Sequence, residues 1–443
     1  MRALKGLPLI LLLLVGACAE PEATAPNASS IGPAFAQGSD LTPVQQLGKS
    51  IYFDKSLSLH NNESCATCHD PDFGFTGPFA GINLRGSVYM GSVGNAFGDR
   101  KPPSAAYATQ APLFSYDAAE HFGEGGNFWD GRATGEVTGN PAGDQALGPF
   151  LNPVEQALPD KICVLYRIAE GPYADLWTEV NGSTLEDIEF PMGLDKACRG
   201  KGDVPEYADL QAVVDEVYKD VGRSIAEFEG SPEVNAFTSK FDIEGSPDEN
   251  QGAYTAEELR GWEVFNDPDL GNCAACHPSE PGPYSAHALF TDFSYDNLGL
   301  PSNPLNPKTM ADPSWKDPGL YATVGDPDVL GAVKVPTLRN VAKAPGMAPK
   351  SYGHNGVFKS LEQIVHFYNT RDALGPWCED QGLQVLPNPN GLAKMGYEPL
   401  CWLTPDYPGT MNTEELGNLG LSPADEAAIV AFLKTLSDGY TGR

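Results

Sequence analysis

Cys65-Ala66-Thr67-Cys68-His69 and Cys273-Ala274-Ala275-Cys276-His277 decide how this chain is read. Both have the form C-x-x-C-H. At that spacing each thiol can add to a vinyl group of one haem, and the adjacent imidazole ligates iron from the proximal side. A zinc site would need a second ligand pair nearby, and a redox C-x-x-C would need a βαβ setting; the sequence around the motifs offers neither. Two c-type haems are therefore expected, with His69 and His277 as iron ligands.

Helical patterns flank the motifs. Leu41 to Tyr52 carries Leu41, Val44, Leu47 and Ile51 on one face. Thr255 to Phe265 opens on Thr255-x-x-Glu258, a capping box. Ser360 to Tyr368 reads as a further helix. Pro423 to Leu436 reads as another, with Ser422 as N-cap and an apolar stripe of Ile429, Phe432, Leu433 and Leu436. No alternating strand pattern persists. With 48 Gly and 39 Pro, much of the remainder should be turn and loop. The expected fold is mainly α: two cytochrome c-like haem domains with long loops and insertions. The first would span 41–240 with an insertion at about 156–205, and the second 241–443 with an insertion at about 372–415.

The 443 residues carry 28 Lys plus Arg against 59 Asp plus Glu, a formal charge of −31. So acidic a chain is not expected to bind nucleic acid. A basic redox partner is plausible through electrostatic steering. Residues 1–17 read as a signal peptide, with Arg2 and Lys5 ahead of a short apolar run. That run is far below the ~20 residues that span a bilayer. It ends in Val15-Gly16-Ala17-Cys18, which resembles a bacterial lipobox with Cys18 as the lipid anchor. Residues 18–40 read as a flexible tether. A periplasmic protein anchored at the outer membrane is expected.

Several further segments resemble the bacterial dihaem cytochrome c peroxidases and their MauG-type subgroup. They are Phe128-Trp129-Asp130-Gly131-Arg132-Ala133, Gln145-Ala146-Leu147-Gly148-Pro149 with Glu155 beyond it, Val335 to Val341, Tyr352-Gly353-His354-Asn355-Gly356, and Ser360 to Asn369. The resemblance covers most of 41–443. It implies hydrogen peroxide as substrate at the N-terminal haem. Glu155 would move a proton between the peroxide oxygens, Gln145 would orient them, and Pro149 would wall the pocket. Trp129 would relay electrons between the haems. Arg132 would hold a haem propionate, and His354 would serve as a propionate or core hydrogen-bond partner.

Two departures from typical peroxidases point to the subgroup. No His lies between Asp70 and Asp99, where typical members place one that blocks the N-terminal iron. Tyr368 stands where they carry a Met ligand to the second haem, and phenolate favours the more oxidised iron. Met347, Met395 and His366 are the competing ligands. The resemblance also implies a structural Ca2+ between the haems. However, its usual Asn ligand falls at Lys101, and the loop Ala344 to Tyr352 is long. His60, His121 and His287 match nothing in the family and read as surface or loop residues.

Of the nine Cys, four remain in the two insertions. Local pairing gives Cys163–Cys198 and Cys378–Cys401, bracing segments expected to have little core of their own. The electron donor would be an external redox protein: a small cytochrome, a cupredoxin, or a partner protein that is itself modified. A non-catalytic outer-membrane dihaem electron carrier is the rival reading.

Overall fold

The computed structural model describes residues 41–346, 348–374, 377 and 401–442. The expected signal, the tether, Cys18, Met347, Cys378 and Met395 lie outside them, as does part of the second expected insertion. The longer helices are α1 (Pro43–Phe53), α2 (Pro141–Leu151), α3 (Lys161–Ala169), α4 (Ala174–Asn181), α5 (Gln211–Glu229), α6 (Ala256–Asn266), α7 (Leu361–Thr370) and α8 (Pro423–Lys434). The described strands form two-stranded antiparallel pairs: Ser115–Asp117 with Phe122–Glu124, Pro281–Gly282 with Ser285–Ala288, and Tyr295–Asp296 with Val333–Lys334. The fold is thus mostly helical, with long connections.

Capping sets the helix starts. Thr255 Oγ1 accepts the Glu258 N–H, and Glu258 Oε2 accepts the Thr255 N–H at 2.7 Å. Ser422 and Asp425 make the same reciprocal pair at α8, and Thr42 and Gln45 at α1. Each box satisfies N–H groups that a helix leaves unbonded at its first turn.

A repeated crossing organises the two halves. Helix α1 packs on α5 at Gly48, where a Cβ would lie 1.8 Å from the Ser224 carbonyl oxygen and 2.9 Å from Phe228 Cβ. Helix α6 packs on α8 at Gly261, where a Cβ would lie 2.0 Å from the Ala428 oxygen and 2.8 Å from Phe432 Cβ. In both halves the contacted backbone residue and Phe are four apart, one helical turn. Glycine is required because any side chain would push the helices apart. Around each crossing grows a core. The first contains Leu47, Ile51, Val221, Ile225 and Phe228; the second contains Trp262, Phe265, Ile429, Phe432 and Leu433.

The segment expected to be a thinly cored insertion belongs to the first core. Ile162, Val164, Leu165 and Ile168 on α3 and Trp177 on α4 are fully buried in it. Cys163 and Cys198 are joined by a disulfide within that core. Cys401 is also disulfide-bonded, and Cys378, its expected partner, lies outside the described residues.

Buried cations stitch the halves. The Lys334 ammonium donates to the Gly126 carbonyl and to Asn127 Oδ1. That of Lys359 donates to the Arg85 carbonyl and to Ser87 Oγ. Arg100 grips Asp317 with Nε and Nη2, both at 2.6 Å, and Asp130 with Nη1 at 2.7 Å.

Candidate functional site

Two cavities open at the C-x-x-C-H motifs. The first, of about 660 Å³, is lined by Cys65, Cys68 and His69 together with Gln145, Pro149, Glu155 and Arg132. That volume lies within the usual ~300–1,000 Å³ of cofactor pockets. The second, of about 200 Å³, is lined by Cys273, Cys276 and His277 with Tyr368 and His354. Trp129, Lys101 and Pro103 line both cavities and form the wall between them.

The motif histidines are held from behind. His69 Nδ1 lies 3.1 Å from the Phe75 carbonyl, and His277 Nδ1 lies 2.8 Å from the Phe290 carbonyl. A carbonyl only accepts, so Nδ1 carries the proton and Nε2 keeps its lone pair, as a metal-ligating imidazole requires. Burial lowers the pKa of His69 to about 4, which also keeps it neutral. The four motif thiols are free. His354 is buried, and neither ring nitrogen makes a hydrogen bond within the protein. Its Nε2 lies 3.6 Å from Asp317 Oδ2, beside the second cavity. The residues fit two covalent haems.

Gln145 and Pro149, which also line the first cavity, stand one turn apart on α2. Pro149 has no N–H to bond the Gln145 carbonyl, so the helix is already loosened there. Asn152 ends it and turns the chain toward Glu155: its carbonyl accepts the N–H groups of Glu155 at 2.9 Å and Ala157 at 3.1 Å. The Glu155 carbonyl is pinned by Ser92 N–H at 2.6 Å. Burial raises the Glu155 carboxyl, opposed by Asn152 and Arg132. Glu63 joins it. Burial first, and then the charge of Glu155, raise Glu63 to about 7. The sequence reading missed Glu63, although it sits just ahead of the first motif. Arg132 lines the cavity, but its guanidinium pairs with Asp130 at 2.7 Å and stacks 3.7 Å over the Phe128 ring. Asp130 therefore competes for the charge expected to hold a propionate.

Trp129 is buried in the wall, its indole N–H donating to the Lys101 carbonyl at 2.8 Å. Its ring lies 6.4 Å from that of His354. Tyr368, on α7, lines the second cavity, and burial pushes its phenol pKa up. His366 does not line that cavity; its Nδ1 is held by Glu426 at 2.9 Å. The competing Met347 and Met395 lie outside the described residues. His121 is a surface residue that meets Asp326 at 2.9 Å and Asp328 at 3.4 Å. His287 is exposed and stacks on Phe237 at 4.1 Å. His60 is exposed as well. Among the described residues no helix is long and apolar enough to cross a membrane.

Comparison with known proteins agrees with this geometry. The family model described as di-haem cytochrome c peroxidase matches residues 43–247. The methylamine utilization protein MauG of Paracoccus denitrificans is 33% identical over 398 residues, spanning 88% of each chain. The cytochrome-c peroxidase IdrP2 of Denitromonas iodatirespirans is 25% identical over 94% of this chain and 84% of its own. The crystal structure of the diheme peroxidase BthA from Burkholderia thailandensis superposes with a TM-score of 0.67 at 26% identity, over 90% of this chain and 89% of that one. With paired thiols and an anchored imidazole at each of two cavities, this chain belongs to the di-haem cytochrome c peroxidase family and is a dihaem oxidoreductase.

Proposed function

We propose that the chain reduces hydrogen peroxide in the first cavity and draws the electrons, through the second, from an external protein. When bound there, haem supplies the iron that accepts the peroxide and stores oxidising equivalents. The observation that carries the reading is the division of side chains. Gln145, Pro149 and Glu155 share a cavity with His69, whereas Tyr368 shares one with His277. Among the described residues lining the first cavity, His69 is the only imidazole. That supports an open position for substrate rather than a second histidine ligand.

Glu155 receives the proton from the inner peroxide oxygen and returns it to the outer one, which leaves as water. A partly desolvated carboxyl with a raised pKa is suited to that exchange. Gln145 offers both a donor and an acceptor to hold the peroxide in line. Trp129, in the wall, is the aromatic side chain common to both cavities and the route for electrons between them. Tyr368 would complete the coordination at the second cavity, as in the MauG-type subgroup. The donor would be a small cytochrome, a cupredoxin or a side chain of a partner protein. The haem domains would be those of residues 41–240 and 241–443.

Rapid mixing of the diferric protein with peroxide tests this. Glu155→Gln should slow the spectral change by about 10²–10⁴-fold, and Tyr368→Phe should alter the ferric spectrum of one haem alone. An unaltered rate in the first variant, or an unaltered spectrum in the second, removes that residue's role. No reaction of the wild type with peroxide would favour an electron carrier.

A further inference from the structure

Beside the wall between the cavities, three backbone carbonyls converge from both halves of the chain. Phe73 contributes one, and Asn340 and Lys343 contribute the others. They surround the Lys350 Nζ at 3.0, 3.1 and 2.9 Å respectively. Three acceptors need three N–H donors, which an ammonium has and a neutral amine lacks. The cage is matched to the charged form, while burial and the nearby Lys101 and Lys343 push the amine pKa down.

The position bears on both cavities. Phe73 lies two residues before Phe75, whose carbonyl orients His69. Asn340 and Lys350 themselves line the second cavity. Lys101 adds a second cation in the wall. Its N–H donates to the His354 carbonyl and its carbonyl accepts the Trp129 indole, each at 2.8 Å.

A bound Ca2+ would need six to eight oxygens at about 2.3–2.6 Å, usually with carboxylates among them. Here three carbonyl oxygens are already committed to an ammonium, and two further lysines would repel a divalent ion. Among the described residues the convergent groups of potential metal ligands are His121/Asp326/Asp328 and Cys276/Asp296/Glu415, and neither lies at this junction. The implied calcium does not fit.

We infer that Lys350, with Lys101 beside it, is a built-in cation that replaces a divalent ion at the junction, fixing the register of the two haem cavities. Lys350 is thus a positioning residue. Its positive charge also favours the reduced state of nearby iron.

The test uses the purified holoprotein. Elemental analysis after desalting should find no stoichiometric calcium, and a strong chelator should leave both haem spectra and the peroxide reaction unchanged. Lys350→Met should lower both haem reduction potentials in spectroelectrochemical titration and alter both ferric spectra, with Lys350→Arg closer to wild type. Stoichiometric calcium, or a chelator-induced spectral change, would overturn the inference. So would potentials in Lys350→Met equal to those of wild type. If Lys350→Met does not fold, the potentials of Lys101→Met and the metal content of the wild type decide the matter.

Discussion

Replacing Arg100 by methionine should cost more than one ion pair is ordinarily worth. Its guanidinium forks onto Asp317 and also reaches Asp130, and both carboxylates are buried. Burial alone would raise the Asp317 carboxyl; the hydrogen bonds from Arg100, with smaller help from His354, outweigh that and hold it at about 2 against an ordinary 3.8. This difference favours the folded state by about 2 kcal/mol at neutral pH. A depressed folded-state pKa gives stability that is present above about pH 4 and lost as the pH falls toward 2. Removing Arg100 also leaves buried Asp130 with Arg132 as its remaining cationic partner, so Arg100→Met should destabilise by about 3–5 kcal/mol at pH 7. In the variant, burial of Asp317 is opposed by His354 and the Gly319 N–H but no longer by Arg100, so its carboxyl rises and acid should relieve the damage. The gap between wild type and variant should narrow as pH drops from 6 toward 3. Urea titrations followed by far-UV circular dichroism, at several pH values, would measure this. A double-mutant cycle with Asp317→Asn should give a coupling above about 1.5 kcal/mol. Additivity within about 0.5 kcal/mol, or a gap independent of pH, would refute the argument.

Further outcomes follow from the same geometry. Gly261→Ala places a methyl group against the Ala428 carbonyl, and should lower stability by about 1–3 kcal/mol or more in thermal melts. Gly81→Ala, where a Cβ meets nothing within 4 Å, should be close to neutral, and equal effects would discredit the crossing as a constraint. Glu63, raised to about 7, is protonated below that value and charged above it. The peroxide reaction should therefore show an inflection near pH 7 that Glu63→Gln abolishes; the same inflection in the variant would exclude Glu63 as its source.

The parts of the fold that were legible in the sequence are local ones. Both haem motifs, the Thr255 and Ser422 caps and the helices they begin follow from spacings of a few residues. The C-terminal helix ends at Lys434 rather than Leu436, because Thr435 caps it while Leu436 stays fully buried beyond. The longest helix among the described residues, α5, carries its period in Val214, Val217, Val221, Ile225 and Phe228, but repeated β-branched valines weaken the helical signal. The pairing of Gly48 with Gly261 depends on a crossing, which no short repeat announces. Within the site, Gln145, Pro149 and Glu155 meet at one cavity, as the family resemblance implies. The Arg100–Asp317 pair links residues 217 positions apart, and nothing in a linear pattern couples them. Lys350 gives still less warning, since its partners are main-chain carbonyls that any sequence would provide.

The seam of Lys334, Lys350 and Lys359 bears on how this chain can be recombined. Each amine comes from the second half and closes on backbone or amide oxygens of the first. A fragment ending near residue 240 would therefore expose oxygen cages built for missing cations. The complementary fragment would carry three amines, each short of the oxygens that the first half supplies. A chimaera joining one half of this chain to a relative's other half inherits that mismatch unless the lysines travel with it. Such a chimaera should recover stability when Lys334, Lys350 and Lys359 are grafted together with the half they serve.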